Sequence, residues 1–323
     1  MSKSLKYFLV ALAVSIPVWS EVNVMEKHLN NFFFWQETYK NPEIYAAQIA
    51  PVKKENPKPE RNTEIEDLSI EAKSAVSVLV NKRGKERILF EKQSDQQLPI
   101  ASLTKLMTAL VVLKNYDLSR EIIISKEAIS QEEDFGKLTA GKTLTTEYLL
   151  YPLLMESSND AAFSLANDYP GMKEELFVDL MNREAVNLSL ANTSFVNSTG
   201  LDPKKKTSDL NLSSAYDLAK LANETIKEPL IWQILSTPKY QVYGPELVNT
   251  NRLLEDSVSW HDEIVGGKTG YTDLAGGCMI LVLNAPKYPG YLLVNVVLGT
   301  KDADSRFEEM KKLVNWLESA YNW

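Results

Sequence analysis

The sequence predicts an α/β (α+β) fold in which one antiparallel sheet is built from both termini of a domain, flanked by helices and interrupted by a helical insertion. Three observations predict it. Runs of strand length rich in Val, Ile, Leu and Phe occur early, at Ala75 to Asn81 and Arg87 to Glu91. Two more occur late, at Gly276 to Asn284 and Tyr291 to Gly299. Between the pairs the apolar residues recur at helical spacing, so the terminal strands are expected to meet in one sheet with the helices inserted between them.

Taken in order, Met1 to Ser20 has the layout of an export signal. Lys3 and Lys6 give a positive start, and Tyr7 to Trp19 is an apolar stretch shorter than the roughly 20 residues of a spanning helix. Small residues precede a cleavage point at Ser20-Glu21, and retention as an uncleaved N-terminal anchor is the alternative. Residues 21–69 read as a tether. Its Phe32-Phe-Phe-Trp35 run could lie at a membrane surface or pack on the domain as a short helix, with packing preferred. The charged, proline-rich stretch from Pro51 to Arg61 buries little. The domain proper is expected over 70–323.

Within that domain, Lys82-Arg-Gly-Lys-Glu86 joins the first two strands as a hairpin. Ala101 to Leu113 is apolar on almost every side, which predicts a helix buried in the middle of the domain. Further helices are expected over Thr146 to Met155, Asn159 to Ala166, Lys173 to Asn187 and Ser213 to Thr225, and an amphipathic helix closes the domain from Asp304 to Tyr321.

Composition excludes several functions. The chain has 323 residues and a formal net charge of -8, so nucleic-acid binding would need a local basic patch, and Lys204 to Lys206 reads as a solvated turn. Cys278 is the single cysteine, which excludes an intrachain disulfide and a cysteine zinc cage. It reads as a small buried apolar residue. With only His28 and His261, a histidine metal site is not expected, no cofactor loop of the GxGxxG or Walker type occurs, and no GxSxG elbow accompanies a candidate serine. Nucleophilic catalysis here would need a base other than histidine.

Three short motifs supply one. Ser102-Leu-Thr-Lys105 opens the buried helix, Ser157-Ser-Asn159 follows the helix ending near Met155, and Lys268-Thr-Gly270 precedes a strand. A second SxxK match, Ser236-Thr-Pro-Lys239, has Pro238 inside it and no apolar helix after it. Residues three apart share a helix face, so Ser102 and Lys105 can approach each other. A serine hydroxyl is a weak nucleophile until a base takes its proton. A lysine amine can serve once burial and a second cation such as Lys268 disfavour its charged form.

These motifs, with Leu153-Leu-Met-Glu-Ser-Ser-Asn-Asp-Ala-Ala162, Asn192-Thr-Ser-Phe-Val-Asn-Ser-Thr-Gly-Leu-Asp202 and Gly267-Lys-Thr-Gly-Tyr-Thr-Asp273, resemble the serine-type D-alanyl-D-alanine carboxypeptidases. These are low-molecular-weight penicillin-binding proteins that share the β-lactamase/transpeptidase-like fold. The resemblance spans about Ala75 to Gly299. It implies an extracytoplasmic enzyme of the cell envelope that needs no cofactor or metal, acts on peptidoglycan stem peptides ending in D-Ala-D-Ala and is inhibited by β-lactams. It further implies Ser102 as nucleophile, Lys105 as base and Ser157 as proton carrier to the leaving amine. Asn159 would hold Lys105 and the substrate amide. The N–H groups of Ser102 and Tyr271 would form the oxyanion hole, Lys268 and Thr269 would meet the terminal carboxylate, and Gly270 would leave room for substrate.

Some residues depart from the family pattern. Pro152 sits inside the helix leading to Ser157, where it removes a backbone donor. An arginine that some relatives use for the carboxylate has no secure match, since Thr250 stands near its place and Arg252 two residues on. The chain closes with its amphipathic helix where many relatives continue, so any membrane contact is expected from the N-terminal end. Two other readings are a serine β-lactamase, for which Glu184-Ala-Val-Asn187 is a loose match to the deacylating motif, and an inactive envelope protein that binds peptidoglycan.

Overall fold

In a computed structural model, residues 59–81, 84–132, 137–203 and 209–323 are described. The expected export signal, the Phe32 to Trp35 run and the Lys204 to Lys206 turn lie outside them.

In chain order the described elements begin with strands β1 (Glu60–Arg61), β2 (Ser74–Asn81), β3 (Glu86–Lys92) and β4 (Leu98–Pro99), followed by helix α1 (Thr104–Asn115). The insertion continues with β5 (Glu121–Ile123), β6 (Thr143–Thr145), α2 (Thr146–Leu154), α3 (Asn159–Asn167), α4 (Glu174–Asn187), β7 (Leu212–Ser213), α5 (Ala215–Thr225) and α6 (Pro229–Leu235). After the short hairpin β8 (Lys239–Gln241) and β9 (Glu246–Val248) come β10 (Ile264–Thr272), β11 (Gly276–Asn284), β12 (Tyr291–Thr300), α7 (Ser305–Ala320) and β13 (Tyr321–Asn322).

Five strands form the main sheet in the order β10-β11-β12-β2-β3, with every pairing antiparallel. The two ends of the domain meet where β12 pairs with β2, as in Leu293 opposite Leu79. This is the expected sheet. Side chains alternate between its faces, and both faces are covered, which is why β2 is buried along almost its whole length. Val76, Val78, Val294 and Val296 pack toward the helical insertion. Ala75, Leu79, Leu293 and Val297 pack against Phe307, Met310, Leu313 and Leu317 of α7. Helix α1 is the buried helix of the insertion, with every residue from Thr104 to Val112 inside.

Two expectations need correction, and one helix is added. The Lys268-Thr-Gly270 motif not only precedes a strand, β11, but itself lies inside one, β10, paired with Ile280 through Cys278 of β11. Glycines at 266, 267 and 270 dilute the strand signal of Ile264-Val and Tyr271-Thr. Helix α6, which the apolar pattern alone does not separate from its neighbours, starts at Pro229, where a missing N–H costs nothing. The domain boundary also moves. Residues 60–68, assigned to the tether, are folded: Glu60 and Arg61 pair with Asn322 and Tyr321, and Ile65 and Leu68 pack on the α7 side. Residues Pro59–Trp323 form one compact unit. Among the described residues no helix is long and apolar enough to cross a membrane.

Candidate active site

The site assembles from two junctions in the helical insertion and from the edge of the sheet. At the first junction Ala101 adopts a left-handed backbone (φ 47°), and a single 3-10 turn, Ala101–Leu103, feeds α1. This sharp entry presents Ser102 to the cleft while Lys105, one turn further along, is completely buried. The amine of Lys105 lies within hydrogen-bond distance of three oxygens: Ser102 Oγ at 2.8 Å, Asn159 Oδ1 at 2.7 Å and the Thr199 carbonyl at 2.6 Å.

The second junction spells out why its motif reads Ser-Ser-Asn. The chain leaves α2 through Ser157, also left-handed (φ 62°), and the Ser158 N–H reaches back to the Pro152 carbonyl at 3.0 Å. Pro152 lies inside α2, which continues through it to Leu154. Ser158 then caps α3, its hydroxyl accepting from the Ala161 N–H at 3.1 Å. Asn159, in the first turn, spends its carbonyl on Lys105 and its amide on the Glu132 carbonyl at 2.9 Å.

The third component is β10, the edge strand of the sheet, which has β11 as its single sheet neighbour. Lys268 is 1% exposed and donates to Ser157 Oγ and to the Thr269 carbonyl, both at 2.8 Å. Burial, then the neighbouring Lys105 and Arg306 cations, hold the Lys268 amine well below the usual lysine range. Gly270 lies against the first junction so closely that a Cβ there would come 3.0 Å from the Ser102 nitrogen. A side chain there would be a tight fit, and the backbone around Ser102 would have to give by a few tenths of an ångström to admit it. Tyr271, 38% exposed, follows at the open end of the strand.

The structure therefore brings Ser102, Lys105, Ser157, Asn159, Lys268, Thr269, Gly270 and Tyr271 together. It also adds residues that sequence reasoning did not assign. Thr250 accepts a 2.7 Å hydrogen bond from the Thr269 hydroxyl and is held by its own N–H on the Met155 carbonyl at 2.9 Å. Arg306, in the first turn of α7, donates to the Gly270 carbonyl at 2.9 Å, and burial pushes its guanidinium down to about 10. Thr199 supplies a carbonyl through the Asn192 to Asp202 string, whose spelling marked it without showing its role. For Arg306 the sequence held no signal, because the contact spans 36 residues. Arg252 pairs with Asp304 and lies over the Phe307 ring, 4.7 Å from its centroid. Glu184 holds Lys114 near the far end of α1, on the order of 15 Å from Ser102 by the rise of the helix. Cys278 is fully buried and its thiol is pushed up to about 11, as expected for an inert apolar position.

Comparison with known proteins gives one consistent result. The family model described as D-alanyl-D-alanine carboxypeptidase matches residues 60–302. The chain is 33% identical over 267 residues to the D-alanyl-D-alanine carboxypeptidase DacF of Bacillus subtilis, covering 79% of this chain and 64% of that protein. It is 34% identical to a D-alanyl-D-alanine endopeptidase of Pseudomonas aeruginosa, covering 75% of this chain and 77% of the relative. Among solved structures, penicillin-binding protein D2 of Listeria monocytogenes in its cefotaxime-bound form superposes with a TM-score of 0.66 at 28% identity, covering 78% of this chain and 98% of that one.

Proposed function

The chain belongs to the D-alanyl-D-alanine carboxypeptidase family, and from that premise we propose that it is a serine D-Ala-D-Ala carboxypeptidase acting on peptidoglycan stem peptides. The observation that carries the reading is the placement of the Lys105 amine 2.8 Å from Ser102 Oγ. A neutral amine has two N–H groups and one lone pair. Asn159 Oδ1 and the Thr199 carbonyl accept and cannot donate, so they take both N–H groups. The lone pair is then available to Ser102 Oγ, 2.8 Å away, the one of these three with a proton to give.

In this mechanism Ser102 Oγ attacks the carbonyl carbon of the penultimate D-alanine as its proton passes to Lys105 Nζ. The N–H groups of Ser102 and Tyr271 would meet the oxyanion, a reading that the approach of Gly270 to the Ser102 nitrogen supports. The terminal D-alanine leaves with a proton delivered through Ser157, and water then opens the ester. The substrate lies along the unpaired edge of β10 as an added strand. Its carboxylate meets the Thr269 hydroxyl and the Lys268 amine. β-Lactams would acylate the same serine. Relatives named for carboxypeptidase and for endopeptidase activity both match, so cleavage of cross-linked stems fits the same site.

The β-lactamase reading needs a carboxylate beside the acyl-enzyme to activate water, and Glu184 is committed to Lys114 at the other end of α1. The inactive-binder reading leaves the buried amine pair without a purpose, since burying two cations is costly. The same proposal locates the protein in the cell envelope, exported or anchored through residues 1–20, with membrane contact through that end. The test is release of free D-alanine from a stem peptide ending in D-Ala-D-Ala. Wild-type protein should release it and Ser102→Ala should not, whereas Ser236→Ala should match wild type. Release by Ser102→Ala would exclude Ser102 as the nucleophile.

A further inference from the structure

The Asn192 to Asp202 string does more than supply the Thr199 carbonyl. Asn197 Oδ1 gathers the N–H groups of Thr199 and Gly200 at 3.2 and 2.7 Å, and its amide donates to the Leu201 carbonyl at 3.2 Å, so the loop is wound round one side chain. Gly200 (φ 86°) lies against the Ala101 carbonyl, where a Cβ would come within 2.1 Å. The loop is therefore fixed to the residue before the nucleophile and, through Thr199, to the base. Two residues beyond Gly200, the Asp202 carboxylate leaves this loop and crosses to the sheet. Its Oδ1 accepts from the Thr272 hydroxyl at 2.8 Å, and its Oδ2 accepts from the Leu274 N–H at 3.1 Å. Thr272 Oγ1 in turn accepts from the Ala275 N–H at 3.2 Å. One carboxylate thus organises the whole turn between β10 and β11, immediately after Tyr271.

We infer that Asp202 is a positioning residue of the acylation step, a latch that holds the Tyr271 N–H in register with the Ser102–Lys105 pair. The physical reason is that the two halves of the proposed machinery lie on different elements. Lys105 is fixed by Thr199 and Asn159, both in the insertion. Tyr271 is carried by an edge strand: Gly270 against the first junction and Arg306 on the Gly270 carbonyl hold the residue before it, and Asp202 holds the residue after it. An oxyanion donor is useful only within a few tenths of an ångström of where the charge develops, and a misplacement of about 1 Å costs on the order of 100-fold in rate. Asp202 closes that gap with a bond to each side of the turn. It touches neither Ser102 nor Lys105, and its two acceptor oxygens are both spent on the turn.

This inference rests on the proposed acyl-enzyme chemistry, and its test separates the two. Acylation by a chromogenic or fluorescent penicillin is followed by stopped flow, which resolves the noncovalent dissociation constant from the acylation rate. For Asp202→Ala the acylation rate should fall about 10- to 100-fold with the dissociation constant within about twofold of wild type. Asp202→Asn keeps one acceptor and should recover part of the loss. Thr272→Val should lower the rate alone, yet add nothing further in the Asp202→Ala background, because both remove the same arm. A purely structural role would move binding, rate and melting temperature together and give no rescue by Asn. Labelled wild type with Asp202→Ala acylating within twofold of it would overturn the latch alone. No label on wild type would overturn the acyl-enzyme reading and the latch with it.

Discussion

The two sides of the cleft are built on opposite backbone principles. On the insertion side, the proposed nucleophile and proposed proton carrier sit at helix junctions where a non-glycine residue takes a left-handed conformation, Ala101 before Ser102 and Ser157 itself. Each such residue costs about 1 kcal/mol or more. On the sheet side, Lys268 to Tyr271 run as a regular strand paired residue by residue with β11. Junctions can aim a hydroxyl at an atom to one side of the chain, while a strand offers a straight row of backbone groups to an extended peptide. The difference teaches where precision is made by strain and where by ladder geometry.

The largest effect should come from the insertion side. Lys105→Ala removes the proposed base and the partner of Asn159 and Thr199 at once, and acylation by penicillin should slow by about a thousandfold or more. A stopped-flow rate within tenfold of wild type would assign the base elsewhere.

Next is the contact that binds the Thr199 loop to the left-handed junction. Gly200→Ala places a methyl against the Ala101 carbonyl at a positive φ and should cost roughly 2–3 kcal/mol of stability by urea unfolding. Acylation should fall with it, because the Thr199 carbonyl moves off Lys105.

On the sheet side the effect should be one of pH. The depressed Lys268 pKa means that the unfolded chain binds more protons than the folded one between the folded value and the ordinary lysine range. Its contribution to stability therefore rises with pH across that window and is lost as pH falls through the folded pKa, by at most about 1.4 kcal/mol per pH unit. Lys268→Met has no such group. Thermal melts should show the variant gaining most over wild type at the acid end of the window, with the gap closing as pH rises toward 10. A gap that widens with pH would mean Lys268 is charged and paired.

The smallest effect probes strain directly. Ala101→Gly relieves the left-handed backbone but gives up a buried methyl and adds freedom to the unfolded chain. The terms nearly cancel, leaving stability within about 0.5 kcal/mol of wild type. Ala109→Gly, in the middle of α1 and equally buried, has no strain to relieve and should cost more than about 1 kcal/mol. Equal losses at both positions would remove strain from the account of the junction.

The same contrast explains what the sequence disclosed. The junction motifs are legible because the chemistry dictates residue types at fixed short spacing: Ser102 three before Lys105, Ser157 two before Asn159. The sheet was legible in its Val- and Leu-rich strands and hidden in β10, where glycines needed for close approach to Ser102 and α6 dilute the pattern. Thr250, Arg306 and Asp202 were not assigned because each acts across 19, 36 or 70 residues, and a single sequence carries no mark of such contacts. The β1–β13 ribbon escaped for the same reason, pairing two-residue strands from opposite ends of the unit.

The central claim, that an amine-activated serine at the head of the buried helix forms the covalent intermediate, is tested most directly by mass spectrometry of protein treated with a penicillin. Proteolysis should place one penicilloyl adduct on the peptide carrying Ser102 in wild-type protein and leave Ser102→Ala unmodified with its melting temperature unchanged. An adduct on any other residue, or one that persists in Ser102→Ala, would contradict the account.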